Sequence, residues 1–130
     1  MSVAHRAMER LRDWPDLDVG PACCGMGRAV RTAECEIVHF HSDRDADLHL
    51  TEPAIRHLAV HLGRSTAIRL VPDSQWVTVH LDNERDADVL LCLVSVALRE
   101  HARCAGAAPH RCNLNRVTFP DRRDYADVLT

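Results

Sequence analysis

Cys35-Glu36-Ile37-Val38-His39-Phe40-His41 decides the fold. The stretch is rich in β-branched and aromatic residues, and the polar run Ser42-Asp43-Arg44-Asp45 closes it, so it reads as a strand followed by a turn. Side chains alternate along a strand. Ile37, His39 and His41 are therefore expected on one face, with Val38 and Phe40 on the opposite, core-facing side. Asp47-Leu48-His49-Leu50 reads as a short return strand.

Working outward, Val3, Ala4, Ala7, Met8 and Leu11 keep helical spacing over residues 2–13. Ser2 stands where an N-cap belongs, and Trp14-Pro15 ends the pattern. Residues 16–34 are turn-rich, with short strands expected near Leu17–Val19 and Arg28–Ala33. Downstream, Thr51-Glu52-Pro53 predicts a helix start with a hydroxyl cap. Ile55, Leu58, Ala59 and Leu62 continue that helix as one stripe, and Gly63 stops it. Ala67–Val71 and Trp76–Leu81 read as strands on either side of a Pro72-Asp73-Ser74-Gln75 turn. Asp82-Asn83 then caps a helix over 84–102 that buries Leu90, Leu91, Val94, Ala97 and Leu98. The order predicts an α+β fold: a single domain with a mostly antiparallel sheet of about five to six short strands and three helices packed mainly on one face. The domain is expected over 1–102, with a Cys/His-bearing C-terminal extension over 103–130.

Composition narrows the function classes. The 130 residues are 46% apolar and 27% charged, a globular balance. No run approaches the roughly 20 apolar residues of a membrane span. Met1-Ser2-Val3-Ala4-His5-Arg6 lacks the apolar core of a signal peptide, so a cytoplasmic chain with no membrane partner is expected. A net charge of −3 and only 4% aromatic residues argue against nucleic acid as a partner. All 16 basic residues are Arg. That excludes lysine Schiff-base chemistry and suggests a GC-rich genome such as an actinobacterium's. The cysteines at positions 23, 24, 35, 92, 104 and 112 are expected to be reduced. Cys92, inside an apolar run, reads as a small core residue.

The blocks Leu11-Arg12-Asp13-Trp14-Pro15, Glu36-Ile37-Val38-His39-Phe40-His41, Asp47, Arg56 and Pro72-Asp73-Ser74-Gln75-Trp76-Val77 stand in an order that resembles the luciferase-domain family of small bacterial and fungal proteins. The resemblance spans about residues 11–98. The family pattern has Gly at the positions of Val38 and Gln75, and often His just before the turn, where this chain has Arg69 and Leu70. The resemblance implies no defined reaction. The large barrel luciferases that use flavin are excluded by length. Gly25-Met26-Gly27 is not a dinucleotide-binding loop.

The chemistry-bearing residues allow several readings. His39 and His41 are candidates for acid/base work, with Asp73 or Asp47 setting the imidazole tautomer. Trp76, Arg56, Asp47 and Ser74 are the candidate substrate contacts around them. On this reading the chain is a small-molecule enzyme or ligand-binding domain, for instance at a tailoring step of specialised metabolism. No cofactor is required by it. A metal reading stands beside it: His-x-His on a strand offers two ligands, with His49, Asp47 or Glu36 as a third. Separately, His101, Cys104, His110 and Cys112 have the ligand types for zinc. The vicinal Cys23-Cys24 favours a structural or incidental role, because redox pairs are more often Cys-x-x-Cys. The bland reading leaves both strand histidines on a solvated sheet surface. A further alternative is an interaction module that uses residues 103–130, with homodimerisation among its outcomes.

Overall fold

The computed structural model describes residues 2–103 and 111–114. Ten elements follow in order: α1 (Val3–Arg12), β1 (Asp18–Pro21), β2 (Arg28–Arg31), β3 (Glu36–Phe40), β4 (Asp45–His49), α2 (Glu52–His57), α3 (Ala59–Arg64), β5 (Ile68–Leu70), β6 (Trp76–His80) and α4 (Glu84–Arg103). The strands form one six-stranded sheet in the order β1-β2-β3-β4-β6-β5, with every neighbouring pair antiparallel. The α+β architecture expected from the sequence is the one found. No helix among the described residues is long and apolar enough to cross a membrane.

Register sorts the central strands into two faces. Val38 pairs with Leu48 and Leu48 with Val77; Phe40 pairs with Ala46 and Ala46 with Val79. These six side chains belong to the hydrophobic core, together with Leu11 of α1 and Leu90 and Val94 of α4. On the alternate positions His39 pairs with Asp47 and Asp47 with Thr78, flanked by the pairs Asp45–His80 and His49–Trp76. That second face is polar and yet buried throughout.

The caps explain two helix starts. The Ser2 hydroxyl accepts from the His5 N–H at 3.0 Å. At α4 the Asn83 side chain accepts from the Asp86 N–H at 3.0 Å, while the Asp86 carboxylate takes the Asp82 N–H at 2.9 Å.

Four sequence expectations need correction. The helix expected from Thr51 to Gly63 is two short helices broken at Leu58, whose φ of −100° and ψ of 8° leave the helical well. The described residues therefore hold four helices rather than three, and no Pro or Gly marks the break. Thr51 does not cap with its hydroxyl. Its φ of +81° turns the side chain away and leaves Oγ1 buried without a hydrogen bond, while Gln75 Oε1 accepts the Glu52 N–H instead. Cys92 is exposed on α4 rather than in the core. Ile37 does not share a face with His39, because the register between β2 and β3 slips there: Val30 faces Val38, but Arg31 faces Glu36. Such a one-residue bulge puts Ile37 on the core side with Val38 and brings Glu36 round to the face of His39.

Candidate metal centre

The polar face is roofed by two segments far apart in sequence. The first is the turn after β1, where the Gly25 N–H bonds to Ala22 O and the Ala22 N–H to Gly27 O. Gly25 and Gly27 take φ of +83° and +79°, and a Cβ at Gly27 would run into the carbonyl oxygen of Phe40. Only glycine lets this turn lie so close to the end of β3. The second is the segment 111–114, anchored by Asn113. Asn113 donates its N–H to Asp47 Oδ2 (2.7 Å) and its amide nitrogen to Trp76 O (3.0 Å) and Thr78 Oγ1 (3.2 Å). Its Oδ1 accepts from Ser74 Oγ at 2.5 Å. Thr78 Oγ1 in turn donates to Asp47 Oδ1 at 2.7 Å.

These two anchors bring Cys24 and Cys112 over the strand histidines. Cys24 Sγ lies 3.6 Å from His39 Nδ1 and 3.3 Å from His41 Nε2, and Cys112 Sγ lies 3.7 Å from the same His41 Nε2. One ligand atom from each of Cys24, His39, His41 and Cys112 falls within 4.8 Å of all the others. A tetrahedral zinc with S and N ligands at about 2.3 and 2.0 Å has S–N edges of about 3.5 Å. The residues present thus fit such an ion in donor type, number and spacing.

The outward nitrogen of His39 is hydrogen-bonded to a carboxylate, and that of His41 faces one beyond hydrogen-bond distance. His39 Nε2 is 2.6 Å from Glu36 Oε1, which also accepts the Cys23 N–H at 3.1 Å. His41 Nδ1 is 3.6 Å from Asp47 Oδ2. Metal-bound histidines characteristically give their second nitrogen to a carboxylate, which fixes ring orientation and raises ligand basicity.

Burial and charge act in opposition here. Burial pushes the Glu36 carboxyl up, but the hydrogen bonds from Cys23 and His39 outweigh it and hold the group below its ordinary value. Burial lowers His41 against the pull of Asp47, and burial raises Asp47 against Thr78, His41 and Asn113. The Cys112 thiol is pushed up to about 12 by burial, with the nearby Cys24 and Asp47 adding to the rise. Every one of these last three shifts favours the neutral form, as expected where charge is taken from water without a cation. Two thiolates and one divalent ion would make the four-ligand group neutral.

The sequence-read residues are distributed as follows. His39 and His41 lie under Cys24 and Cys112, and Trp76 packs beside them, its ring centroid 4.6 Å from that of His39 and 4.7 Å from that of His49. Asp47 and Ser74 belong to the Asn113 network. Asp73, at φ +63°, and Arg56, paired with Glu52, line an open cleft of about 500 Å³ beside Pro72 and Gln75. Ser74 borders that cleft, but neither His39 nor His41 does. Glu36 and Asp47, read from sequence as third ligands, stand behind the histidines instead. Of the tail set, Cys112 joins the group above, His101 bonds to Cys35 and to the His49 carbonyl, and Cys104 and His110 lie outside the described residues. Cys24 and Asn113 are the residues that sequence reasoning passed over. The signal for Cys24 was a thiol directly before Gly25-Met26-Gly27, two closely spaced glycines that suit a turn of close approach.

Residues 34–97 match the family model described as Luciferase domain. The resemblance read from the sequence is borne out over that span, which is narrower than 11–98 and leaves Leu11–Pro15 outside. The matched segment holds His39, His41, Asp47 and Trp76; Cys24 and Cys112 lie on either side of it. Comparisons with curated proteins and with solved structures gave no match.

Proposed function

We propose that this chain is a zinc-binding protein, in which one ion held by Cys24, His39, His41 and Cys112 fastens two outlying segments across the polar face of the Luciferase-domain sheet. The observation that carries the reading is the convergence of the four ligand atoms within 4.8 Å. Two thiolates and two imidazoles at tetrahedral spacing select zinc among the common divalent ions. Four protein ligands close the coordination sphere, which is the pattern of a structural rather than a catalytic ion. A small-molecule pocket on the His39/His41 face ranks below this reading, because His39 is 2% exposed and its ring meets a thiol rather than open space. Binding energy at such a site is folding energy, so the ion stabilises the roofed face as a unit.

The test is elemental analysis and thermal melting of the full chain. One zinc per chain is expected, with a melting temperature that falls on addition of a chelator. Cobalt in its place should give tetrahedral visible bands with thiolate charge transfer. Cys24→Ser and Cys112→Ser should each lose the ion while retaining the far-ultraviolet dichroism of the sheet. Since loading must displace the Cys112 proton, held up to about 12, affinity should fall as the pH is lowered. A metal-free preparation that neither takes up zinc nor changes its melting temperature on zinc addition would overturn the reading.

A further inference from the structure

A second pair of functional side chains lies away from the metal centre. Cys35 precedes β3 in a turn closed by Thr32, whose N–H donates to Cys35 O at 2.8 Å. Across from it, His101 in the last turn of α4 sets Nδ1 3.3 Å from Cys35 Sγ and Nε2 2.8 Å from the His49 carbonyl oxygen. A carbonyl oxygen can only accept, so Nε2 carries the ring proton. Nδ1 is then the free lone pair and receives the thiol S–H. The ring is held in that pose by an edge-on contact with His49 at 4.4 Å, and His49 stacks on Trp76. Thiol, base and a third group that orients the base are the three parts of an activated nucleophile.

The surroundings select the substrate class. The backbone N–H groups of Cys35 and Glu34 both donate to Thr32 Oγ1, at 3.1 and 3.2 Å. They are turned away from any oxyanion that acyl transfer to the sulfur would create. Exchange with a disulfide needs no such donors, only a thiolate and room at sulfur. Cys35 is partly covered by the core, so the partner must be small.

We propose that Cys35, with His101 as its base, is a site of exchange with low-molecular-weight disulfides. Cys35 Sγ attacks one sulfur of the disulfide while its proton passes to His101 Nδ1. The new S–S bond forms as the old one breaks. The departing sulfur leaves with the electron pair and takes the proton back from His101. The products are a mixed disulfide on Cys35 and one free thiol: Cys35 is oxidised, the departing sulfur is reduced, and the number of S–S bonds is unchanged.

The probe is oxidised glutathione added to the zinc-loaded full chain, with adducts mapped by peptide mass spectrometry over time. Cys92, exposed on the same helix as His101, is the internal reference. The Cys35 adduct should form at least about tenfold faster than the Cys92 adduct, and His101→Gln should cut that ratio by about tenfold. Cys35→Ser should remove the fast adduct and leave zinc content unchanged. Equal rates at Cys35 and Cys92, or a ratio indifferent to His101→Gln, would overturn the proposal. Should His101→Gln not fold, the ratio in the unsubstituted chain decides alone.

Discussion

The two faces of β3, β4 and β6 are buried to the same degree by opposite means. One face sets Val38, Phe40, Ala46, Leu48, Val77 and Val79 beneath helices, and apolar contact alone accounts for it. The other sets His39, Asp47 and Thr78 beneath loops, buries Asp45 and His80 alongside them, and must satisfy each polar atom individually. Apolar burial is non-directional and tolerates rearrangement, whereas a buried polar network is costly unless every member has its partner. The difference teaches that the helix-side core can hold the fold without help, while the loop-side layer depends on fixed geometry and on the cation proposed for it.

Three substitutions separate the faces. The largest effect is expected from Leu48→Ala, which opens a cavity at a fully buried position of the apolar face. It should cost about 3 kcal/mol in urea unfolding, with zinc stoichiometry unchanged. Loss of zinc from a folded Leu48→Ala protein would show that the faces are not separable. Next, Gly27→Ala forces a Cβ against Phe40 at a positive φ. A cost of about 2 kcal/mol is expected from strain of this kind, together with weaker zinc binding because the turn carries Cys24. Competition with a chromophoric chelator measures the second part, and an affinity equal to that of the parent would break the link between turn and ion. The smallest effect belongs to Glu36→Gln, which keeps an acceptor for His39 and the Cys23 N–H but removes the charge. Zinc affinity should drop about tenfold, equivalent to about 1.4 kcal/mol, with a smaller loss of stability in the metal-free chain, where Cys23 and His39 favour the charged carboxylate. A larger loss in the metal-free chain than in zinc affinity would assign Glu36 to folding alone.

The apolar face was legible because its signal is local. Val38, Phe40, Leu48, Val77 and Val79 announce themselves by alternation, and the α4 stripe by its spacing. Ile37 was assigned to the wrong side because a bulge is set by the partner strand, and an apolar residue suits either parity until the register is known. The polar face was legible in part. His39 and His41 stand out as a pair, and Trp76 was expected near them. Cys24 and Cys112 carry no spacing that ties them to that pair, since their approach is made by a glycine turn and by Asn113. The Asn113 network joins Ser74, Trp76, Thr78 and Asp47, residues that only the tertiary fold collects. The break at Leu58 and the buried, unbonded hydroxyl of Thr51 had no sequence signal at all.

The order of the four proposed ligands along the chain bears on how the protein is made. During translation Cys24, His39 and His41 emerge together, whereas Cys112 follows only after α4 has been synthesised. A nascent chain therefore carries three donors with the fourth still inside the ribosome, and metal captured at that stage would keep an open position facing water. In the zinc-bound form proposed above, closure by Cys112 would come last, after the whole chain between the two thiols has been made.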